Sequence, residues 1–392
     1  MKRLLSIFLF VPCLLGAVQS DKRAASMLYV QRAKQTLDSL YSKYSVANTS
    51  LLRENYPFDQ KYSATYLANE THVSNQFSYL WPFSGTFSAV NALYEVTGDT
   101  IYRSLLYHKV MPGLEEYLDS VRKPNAYSSY VRSAGLSDRF YDDNIWLGID
   151  FVDTYMLTKD PLLIGKAKLV WRFIESGMDG KLGGGIYWCE QKKTSKNTCS
   201  NAPGAVLALK LFEATQDSSY YWQGRALYEW TKASLQDSTD YLYFDHVALD
   251  GKIGKAKYAY NSGQMLQAAS LLYQFTKDQH YLADAQKLAN ACYLSFFYDF
   301  TPSSGGPFKL LKEGNIWFKA VMLRGFIELY RLDGNRIYLN AFIESLDYAW
   351  DHARDGNGLF STDLSGKQEN ARKWLLTEAA IIEMYARLSI LK

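Results

Sequence analysis

The chain contains few of the side chains on which metal sites and serine-type catalysis depend. Its 392 residues include only five histidines and four cysteines. No two histidines stand at metalloprotease spacing, and the cysteines are too scattered for a zinc site. The sequence also contains no Gly-x-Ser-x-Gly nucleophile motif. We therefore expect no metal and no cofactor, and any hydrolytic chemistry must depend on carboxylates.

Neither sign of charge dominates the sequence. Lysine and arginine together number 43 and aspartate and glutamate 40, which gives a net charge of +3. The absence of a basic stripe or tail argues against binding to nucleic acid or to an anionic membrane. We expect neither partner, and we expect a monomer.

No apolar run is long enough to span a bilayer, so no transmembrane segment is expected. The first residues instead follow the pattern of a secretory signal. Lys2-Arg3 precedes an apolar segment from Leu4 to Leu15, and Val18-Gln19-Ser20 fits a cleavage site. The pattern predicts a signal peptide over residues 1–20 and a mature domain over 21–392.

Export would place the cysteines in an oxidising environment. Cys189 and Cys199 flank a short polar loop, and we predict a disulfide between them, worth about 2–3 kcal/mol. Cys292 lies in an apolar helical run and is expected to be a buried free thiol. Cys13 makes a surface lipoprotein the alternative to a secreted or periplasmic protein, although Pro12 is a poor match to lipoprotein processing.

A short phrase recurs along the chain at intervals of about 60 residues. Each copy ends one amphipathic helical pattern and precedes another, and its Thr or Asp can cap the second helix of a tight turn. Two helices per repeat predict an array of helical hairpins. The copies are Thr97-Gly98-Asp99, Thr158-Lys159-Asp160, Thr215-Gln216-Asp217, Thr276-Lys277-Asp278 and Leu332-Asp333-Gly334.

These patterns predict an all-α, single-domain (α/α)6 toroid of six helical hairpins. Pairing of the first and last helices would close the ring and bury faces that an open array leaves exposed. The longer connections alternate with the tight turns, so we expect them at one end, around a central pit, where loops commonly carry function. The predicted helices cover 23–46, 84–97, 100–119, 142–157, 161–177, 203–215, 218–235, 259–276, 279–298, 315–332, 336–353 and 369–390.

One long connection ends where two carboxylates stand side by side. Asp142 lies three residues before Ile145 and extends the buried stripe of the following helix, whereas Asp143 points about 100° away. The helix N-terminus favours one ionised carboxylate, and the neighbouring charge with partial desolvation favours the protonated form of the other. Glycoside hydrolysis requires this combination of one charged and one protonated acid. The alternative is that both acids only cap the helix.

Several stretches of the sequence resemble glycoside hydrolase family 76, the endo-α-1,6-mannanases. Adjacent aspartates in this context are the most specific feature. The resemblance covers nearly the whole mature chain and is closest to bacterial glycan-degrading members. The stretches are Tyr79–Thr86, Tyr141–Gly148, Gly183–Trp188, Tyr260–Gln264 and Trp317–Gly325.

The resemblance implies an (α/α)6 barrel that cleaves internal α-1,6-mannosidic bonds with retention of configuration. It implies that Asp142 is the nucleophile and Asp143 the general acid/base. It also implies that Asp245 contacts the sugar. The expected partner is α-mannan, as a polysaccharide or as oligosaccharides.

Aromatic and amide side chains near these stretches are further candidates for sugar binding. Aromatic residues make up 15% of the chain, and flat rings can either cover the apolar faces of a pyranose or fill a core. Trp81, Tyr187 and Trp188 are candidates for stacking on mannose, with core packing or a tight turn as the alternative. Asn261 and Gln264 are candidates for binding mannose hydroxyls, with the satisfaction of helix ends as the alternative.

Two further groups receive more ordinary assignments. Three lysines are expected at a solvated loop tip, with contact to phosphorylated mannan as the alternative; they are Lys192, Lys193 and Lys196. Three aromatic residues are assigned mainly to the core, namely Phe308, Trp317 and Phe318.

Two other functional classes fit parts of the pattern. An α/α-barrel lyase or epimerase would need a poised His, Tyr or Arg, and the few histidines show no such arrangement. A non-catalytic or transglycosylating mannan-binding protein could use the same scaffold and aromatics. A non-catalytic binder would not need both Asp142 and Asp143, so the intact pair favours the hydrolase.

Overall fold

A computed structural model describes residues 12–62, 64 and 76–390 of the chain, with side chains from residue 26 onward. Residues 1–11 of the predicted signal peptide lie outside the described residues. None of the described helices is both long and apolar enough to cross a membrane. The α-helices are α1 (Pro12–Tyr44), α2 (Leu80–Thr97), α3 (Thr100–Leu105), α4 (Met111–Glu115), α5 (Tyr141–Thr158), α6 (Pro161–Glu175), α7 (Thr198–Thr215), α8 (Ser218–Leu235), α9 (Ala259–Thr276), α10 (Gln279–Phe296), α11 (Ile316–Asp333), α12 (Ile337–His352) and α13 (Leu375–Ser389).

The helices form two concentric rings. The inner ring consists of α2, α5, α7, α9, α11 and α13; each contacts the next, and α13 also contacts α2, which closes the ring. The outer ring consists of α1, α3 with α4, α6, α8, α10 and α12. A π-helical turn, Leu106–Val110, joins α3 to α4. Since α1 packs along α13, the first and last helices pair, and the predicted single-domain (α/α)6 toroid is confirmed.

Burial explains why the two rings have different sequence patterns. Of the 15 residues of α13, only Arg387 is not buried, so this inner helix has no solvent-exposed face and no amphipathic pattern. The outer helix α6 buries one stripe, which includes Leu163, Ala167 and Val170, as expected for an amphipathic helix. Close contacts between inner helices require small residues. A Cβ on Gly263 of α9 would lie 2.4 Å from the Met322 Cα of α11.

The repeated phrases form the tight turns of the hairpins, as predicted. Asp99, Asp160, Asp217 and Asp278 each accept a hydrogen bond from the backbone N–H two residues further on, at 2.9–3.0 Å. Such a cap stabilises a helix by about 1 kcal/mol. In the fifth turn Asn335 takes this part and accepts from Ile337 N–H at 3.1 Å.

The connections contain short antiparallel strands, which the sequence patterns did not predict. β1 (Asn55–Tyr56) pairs with β10 (Lys373–Trp374), β2 (Leu118–Asp119) with β3 (Ala126–Tyr127), and β8 (Phe297–Phe300) with β9 (Phe308–Leu311). A four-stranded sheet has the order β4 (Tyr187–Cys189), β5 (Lys192–Asn197), β6 (Phe244–Ala248) and β7 (Ile253–Lys257). Strands β2 and β10 and the start of β8 lie within the predicted helices 100–119, 369–390 and 279–298, respectively, and the others lie in predicted loops.

Three predicted helix boundaries are wrong by five or more residues. α1 begins at Pro12, where the pattern predicted residue 23. α7 begins at Thr198 and contains Pro203, although a proline usually marks a first turn. The buried Asn201 side chain fixes this earlier start, because it donates to the Asn197 and Ile186 carbonyls at 2.8 and 2.9 Å. α13 begins at Leu375 instead of residue 369, after the short strand β10.

Candidate active site

A cavity of about 530 Å³ opens at the end of the toroid where the long connections gather. The N-terminal turns of five inner helices contribute to its lining. Eight of the lining residues are aromatic. Six of them form what we call the aromatic wall: Trp81, Trp146, Tyr258, Tyr260, Trp317 and Phe318. Six others belong to β5 and β6 and form the polar wall: Lys192, Thr194, Ser195, Asn197, Asp245 and His246. Asp142 and Asp143 also line this cavity.

The start of α5 positions the two acids. Its N-cap residue is Phe140, whose side chain makes no capping bond, so neither aspartate occupies the N-cap position. Asn144 fixes the turn instead: its amide group donates to the carbonyls of Phe140 and Tyr127, and its oxygen accepts from Tyr127 N–H, each at 2.8 Å. This fully buried clamp ties the first turn of α5 to β3 and holds both acids at the cavity.

The two acids differ in proton affinity. Burial raises the pKa of Asp142 to about 6, although hydrogen bonds from the Cys199 thiol, the nearby backbone N–H groups and the Trp188 indole oppose this rise. Burial raises the pKa of Asp143 well above its ordinary value, and the charge of Asp142 raises it further. Asp142 therefore ionises first, and Asp143 keeps its proton at a pH where Asp142 is charged.

One oxygen of Asp142, the buried Oδ1, has no hydrogen-bond partner in the part of the chain that the structure describes. A buried carboxylate oxygen without a donor is costly unless a ligand or the reaction uses it. The positive ends of the inner helices that meet here favour the ionised form of such a group.

The rings of the aromatic wall contact one another closely. Tyr260 and Phe318 are parallel at 4.0 Å between centroids, and Trp81 lies 6.1 Å from Phe318 with its plane inclined by 20°. The Trp146 ring meets the Trp317 ring edge-on at 4.9 Å. A wall of this kind matches the apolar faces of sugar rings. The assignment of Trp317 and Phe318 mainly to the core missed that both also face the cavity.

The structure brings together five of the eight candidate site residues and leaves three outside the lining. Asp142, Asp143, Asp245, Trp81 and Trp188 line the cavity. Tyr187 is buried and donates from its hydroxyl to Asp179 at 2.8 Å. Asn261 and Gln264 are fully buried in α9, and Gln264 donates to Gln267 at 2.9 Å. The structure therefore gives no support to direct sugar contact by these three residues.

The three lysines of the polar loop have different surroundings. Lys192 is exposed at the cavity, in line with the expected solvated tip. Lys193 donates to the Ser176 carbonyl at 3.1 Å. Lys196 is fully buried, so its assignment to a solvated tip is wrong. Its ammonium group donates to Asp179 Oδ1 at 2.8 Å and to the carbonyls of a neighbouring loop.

The predicted disulfide between Cys189 and Cys199 is absent, since all the cysteines described are free thiols. The two sulfurs have different partners. The Cys189 thiol lies 3.9 Å from Gln191 Oε1, whereas Cys199 lines the cavity and hydrogen-bonds Asp142. Cys292 is buried and free, as predicted.

Sequence analysis missed His246, Trp146, Tyr258 and Asn197 as cavity residues. Trp146 lies within the aspartate motif, so the motif itself could have indicated it. His246 and Asn197 come from strands that pair across about fifty intervening residues, and no local pattern marks that pairing.

A closed α/α toroid with two unequal acids beside an aromatic wall is typical of glycoside hydrolases that use paired carboxylates. The family model described as "Glycosyl hydrolase family 76" matches residues 31–305. The chain belongs to glycosyl hydrolase family 76.

Solved structures of family members are similar over nearly the whole chain. A family 76 glycoside hydrolase (mannosidase) from Bacteroides thetaiotaomicron is 33% identical, with a TM-score of 0.85, and the match covers 93% of this chain and 98% of that one. An inactive variant of the α-1,6-mannanase GH76A from Salegentibacter, in complex with α-1,6-mannotriose, is 25% identical. Its TM-score is 0.74, and the match covers 93% of this chain and 100% of that one. In that variant two consecutive aspartates are replaced by asparagine.

Two curated relatives come from Schizosaccharomyces pombe. The "Meiotically up-regulated gene 191 protein" is 28% identical over 204 residues, which is 46% of this chain and 44% of the relative. A "Putative mannan endo-1,6-alpha-mannosidase" is 23% identical over 230 residues, which is 56% of this chain and 51% of the relative. The chain spans about half the length of these curated relatives.

Proposed function

We propose that this protein is an endo-acting glycoside hydrolase that cleaves α-1,6-mannosidic bonds in mannan with retention of configuration. The observation that carries the proposal is the pair Asp142 and Asp143, two half-buried acids of unequal proton affinity in one cavity. The substrate comes from the relatives, because a family member inactivated at two consecutive aspartates binds α-1,6-mannotriose.

In the proposed mechanism Asp142 is the nucleophile and Asp143 the general acid/base. An Asp142 oxygen attacks the anomeric carbon of a mannose unit while Asp143 gives its proton to the departing glycosidic oxygen. The bond to the leaving chain breaks, and a glycosyl ester forms on Asp142. Water then attacks the anomeric carbon, Asp143 takes a proton from it, and Asp142 leaves as a carboxylate.

The two cavity walls are suited to different parts of the sugar, one to its apolar face and the other to its hydroxyl groups. The aromatic wall, which includes the sequence-predicted Trp81, offers ring faces to the apolar side of mannose, and the predicted Trp188 also lines the cavity. Asp245 on the polar wall offers a carboxylate to sugar hydroxyls. We also propose that residues 1–20 direct export of a monomeric enzyme to the periplasm or medium, with a lipoprotein anchored through Cys13 as the alternative.

Digestion of linear α-1,6-mannan, followed by proton NMR of the early products, tests the function. Oligosaccharides with initially α reducing ends are expected, because two displacements at the anomeric carbon retain configuration. An early β product would remove the nucleophile role from Asp142. Tight binding without products would indicate a non-catalytic mannan-binding protein, longer products a transglycosylase, and unsaturated products a lyase.

A further inference from the structure

Asp245 and His246 are consecutive residues of β6, and both line the cavity. Consecutive residues of a regular strand point to opposite faces of the sheet. The pairing of β6 with β7 is irregular here, since its register shifts between Phe244 and His246. Such a bulge redirects side chains. It explains how both residues reach one cavity and how His246 Nδ1 comes within 2.8 Å of Asp245 Oδ2.

The imidazole of His246 occupies space that only a glycine leaves open. Gly254 of β7 stands opposite His246 in the ladder. A Cβ on Gly254 would lie 2.2 Å from His246 Cε1 and 2.5 Å from Nδ1. The backbone of Gly254 is outside the left-handed region, so an alanine would add no backbone strain, and the atoms nearest to its methyl group would be those of the imidazole. The His246 ring therefore packs against Gly254, which is not one of the residues that line the cavity.

We propose that His246, which packs against Gly254, is a positioning residue. It orients the Asp245 carboxylate so that this group can bind a mannose hydroxyl. The Nδ1–H of His246 donates to Asp245 Oδ2, which leaves Oδ1 as the acceptor for the sugar. This inference rests on the proposed function and deepens it, since it identifies His246 as the residue that orients one sugar-binding carboxylate.

The side chains of Asp245 and His246 are 22% and 35% exposed. A partly exposed hydrogen bond contributes little to stability, so the main effect of this contact is to hold the carboxylate in one orientation. A carboxylate held in one rotamer binds a hydroxyl without first losing its rotational freedom. The effect of losing His246 should therefore appear in substrate affinity, because a contact made in both the ground state and the transition state changes KM and leaves kcat.

The test compares His246→Leu, which removes the donor, with His246→Asn, whose amide nitrogen can replace Nδ1. We expect His246→Leu to raise KM for α-1,6-mannan about tenfold, the loss typical of a hydrogen bond to a charged group, with kcat within about twofold. His246→Asn should recover most of the affinity. Adding His246→Leu to Asp245→Asn should raise KM little beyond Asp245→Asn alone, since the histidine acts through that carboxylate.

Gly254→Ala provides a second route to the same effect without changing a cavity residue. Its methyl group would displace the imidazole, so KM should rise as in His246→Leu and should not rise further in the double variant. Gly165→Ala in the outer helix α6 is the matched control, because its Cβ would meet nothing within 4 Å. Circular dichroism of each variant verifies that it is folded.

A binding measurement separates this inference from the proposed function. The Asp142→Asn/Asp143→Asn double variant should bind α-1,6-mannotriose without turnover, and adding His246→Leu should weaken its Kd about tenfold in calorimetry. An unchanged Kd and KM in His246→Leu would overturn the positioning role. If the enzyme still hydrolysed mannan, the proposed function would be unaffected by that result. Absence of any hydrolysis by the wild type would overturn the function, and an additive effect of Asp245→Asn would show that His246 acts on its own.

Discussion

Tyr260 and Phe318 stack face to face on the cavity wall, with centroids 4.0 Å apart and planes inclined by 8°. Phe318 also lies beside Trp81, so its ring connects two members of the aromatic wall. Phe318→Ala should raise KM for mannan about 2–10-fold, because an aromatic pair contributes about 0.5–1.5 kcal/mol beyond the area it buries. Steady-state kinetics on the folded variant measures this change.

Phe308→Ala is the matched control for Phe318→Ala. Phe308 packs against Phe300 and Tyr348, away from the cavity lining. Phe308 is partly buried, and its truncation should lower stability by about 1–3 kcal/mol without changing KM. If both variants changed KM equally, the effect would reflect general loosening of the fold and the wall would have no specific part in binding.

Asp142→Asn and Asp143→Asn should each lower kcat at least about 1,000-fold. The first removes the nucleophile and the second the proton donor, and acid–base catalysis alone contributes about 10²–10⁴-fold. Product release from linear α-1,6-mannan measures the loss. Asp150→Asn is the control, because Asp150 lies on the same helix, outside the cavity lining, and accepts from Ser88 at 2.5 Å. Substantial hydrolysis by either active-site variant would contradict the assignment.

The same two substitutions should stabilise the protein near neutral pH. Both carboxyls have a raised pKa in the folded state, so the folded protein binds more protons than the unfolded chain above about pH 4. Stability is therefore lost as pH rises from the unfolded pKa through the folded one, which is about 6 for Asp142. Asp142→Asn should recover about 1–3 kcal/mol at pH 7 and little at pH 4, and Asp143→Asn should change stability in the same direction. Guanidinium denaturation at both pH values would detect this, and an equal gain at both would contradict it.

The helical hairpins and their capped turns could be predicted from the sequence, whereas the pairing of the strands could not. Asp99 and the aspartates of the later turns cap helices two residues away, and such short-range contacts leave a repeating pattern. β5 is a polar, lysine-rich stretch, so nothing in its own sequence favours a strand. It is extended because Asn197 pairs with His246 of β6. Tertiary pairing of this kind overrides local propensity.

The same distinction applies to the site. Asp142 and Asp143 were found because they are adjacent in the sequence and their motif is specific. His246 reaches the cavity because of a bulge, and Lys196 is buried because a distant loop supplies its acceptors. The sequence contains both residues but not the strand pairing that determines their surroundings.

The acidic limb of the pH–rate profile should depend on Cys199. Hydrolysis requires Asp142 ionised and Asp143 protonated, so kcat/KM should rise through about pH 6 and fall where Asp143 loses its proton. The thiol of Cys199 donates to Asp142 and lowers its pKa. Cys199→Ala should therefore move the acidic limb upward by about half a pH unit or more, whereas Cys199→Ser, which keeps a donor, should not.

Cys292→Ala is the matched control for Cys199→Ala, because Cys292 is buried outside the cavity lining. Its substitution should leave both limbs of the profile in place. The measurements belong in reducing buffer, so that both thiols stay free. An acidic limb that is identical in Cys199→Ala and the wild type would exclude any influence of the thiol on Asp142.

Lys196 should be required for the order of the glycine-rich loop that precedes β4. Its buried ammonium group donates to Asp179 Oδ1 at 2.8 Å and to the Lys181 and Gly184 carbonyls at 2.9 and 2.5 Å. Lys196→Met would leave those carbonyls without a donor, at a cost of about 2–4 kcal/mol. We expect a lower denaturation midpoint, faster proteolysis within residues 180–185 and a higher KM, since Trp188 of the cavity follows this loop. Lys193→Met on the same strand loses one bond at 3.1 Å to an exposed carbonyl and should change none of these; equal losses in both variants would refute the special role of Lys196.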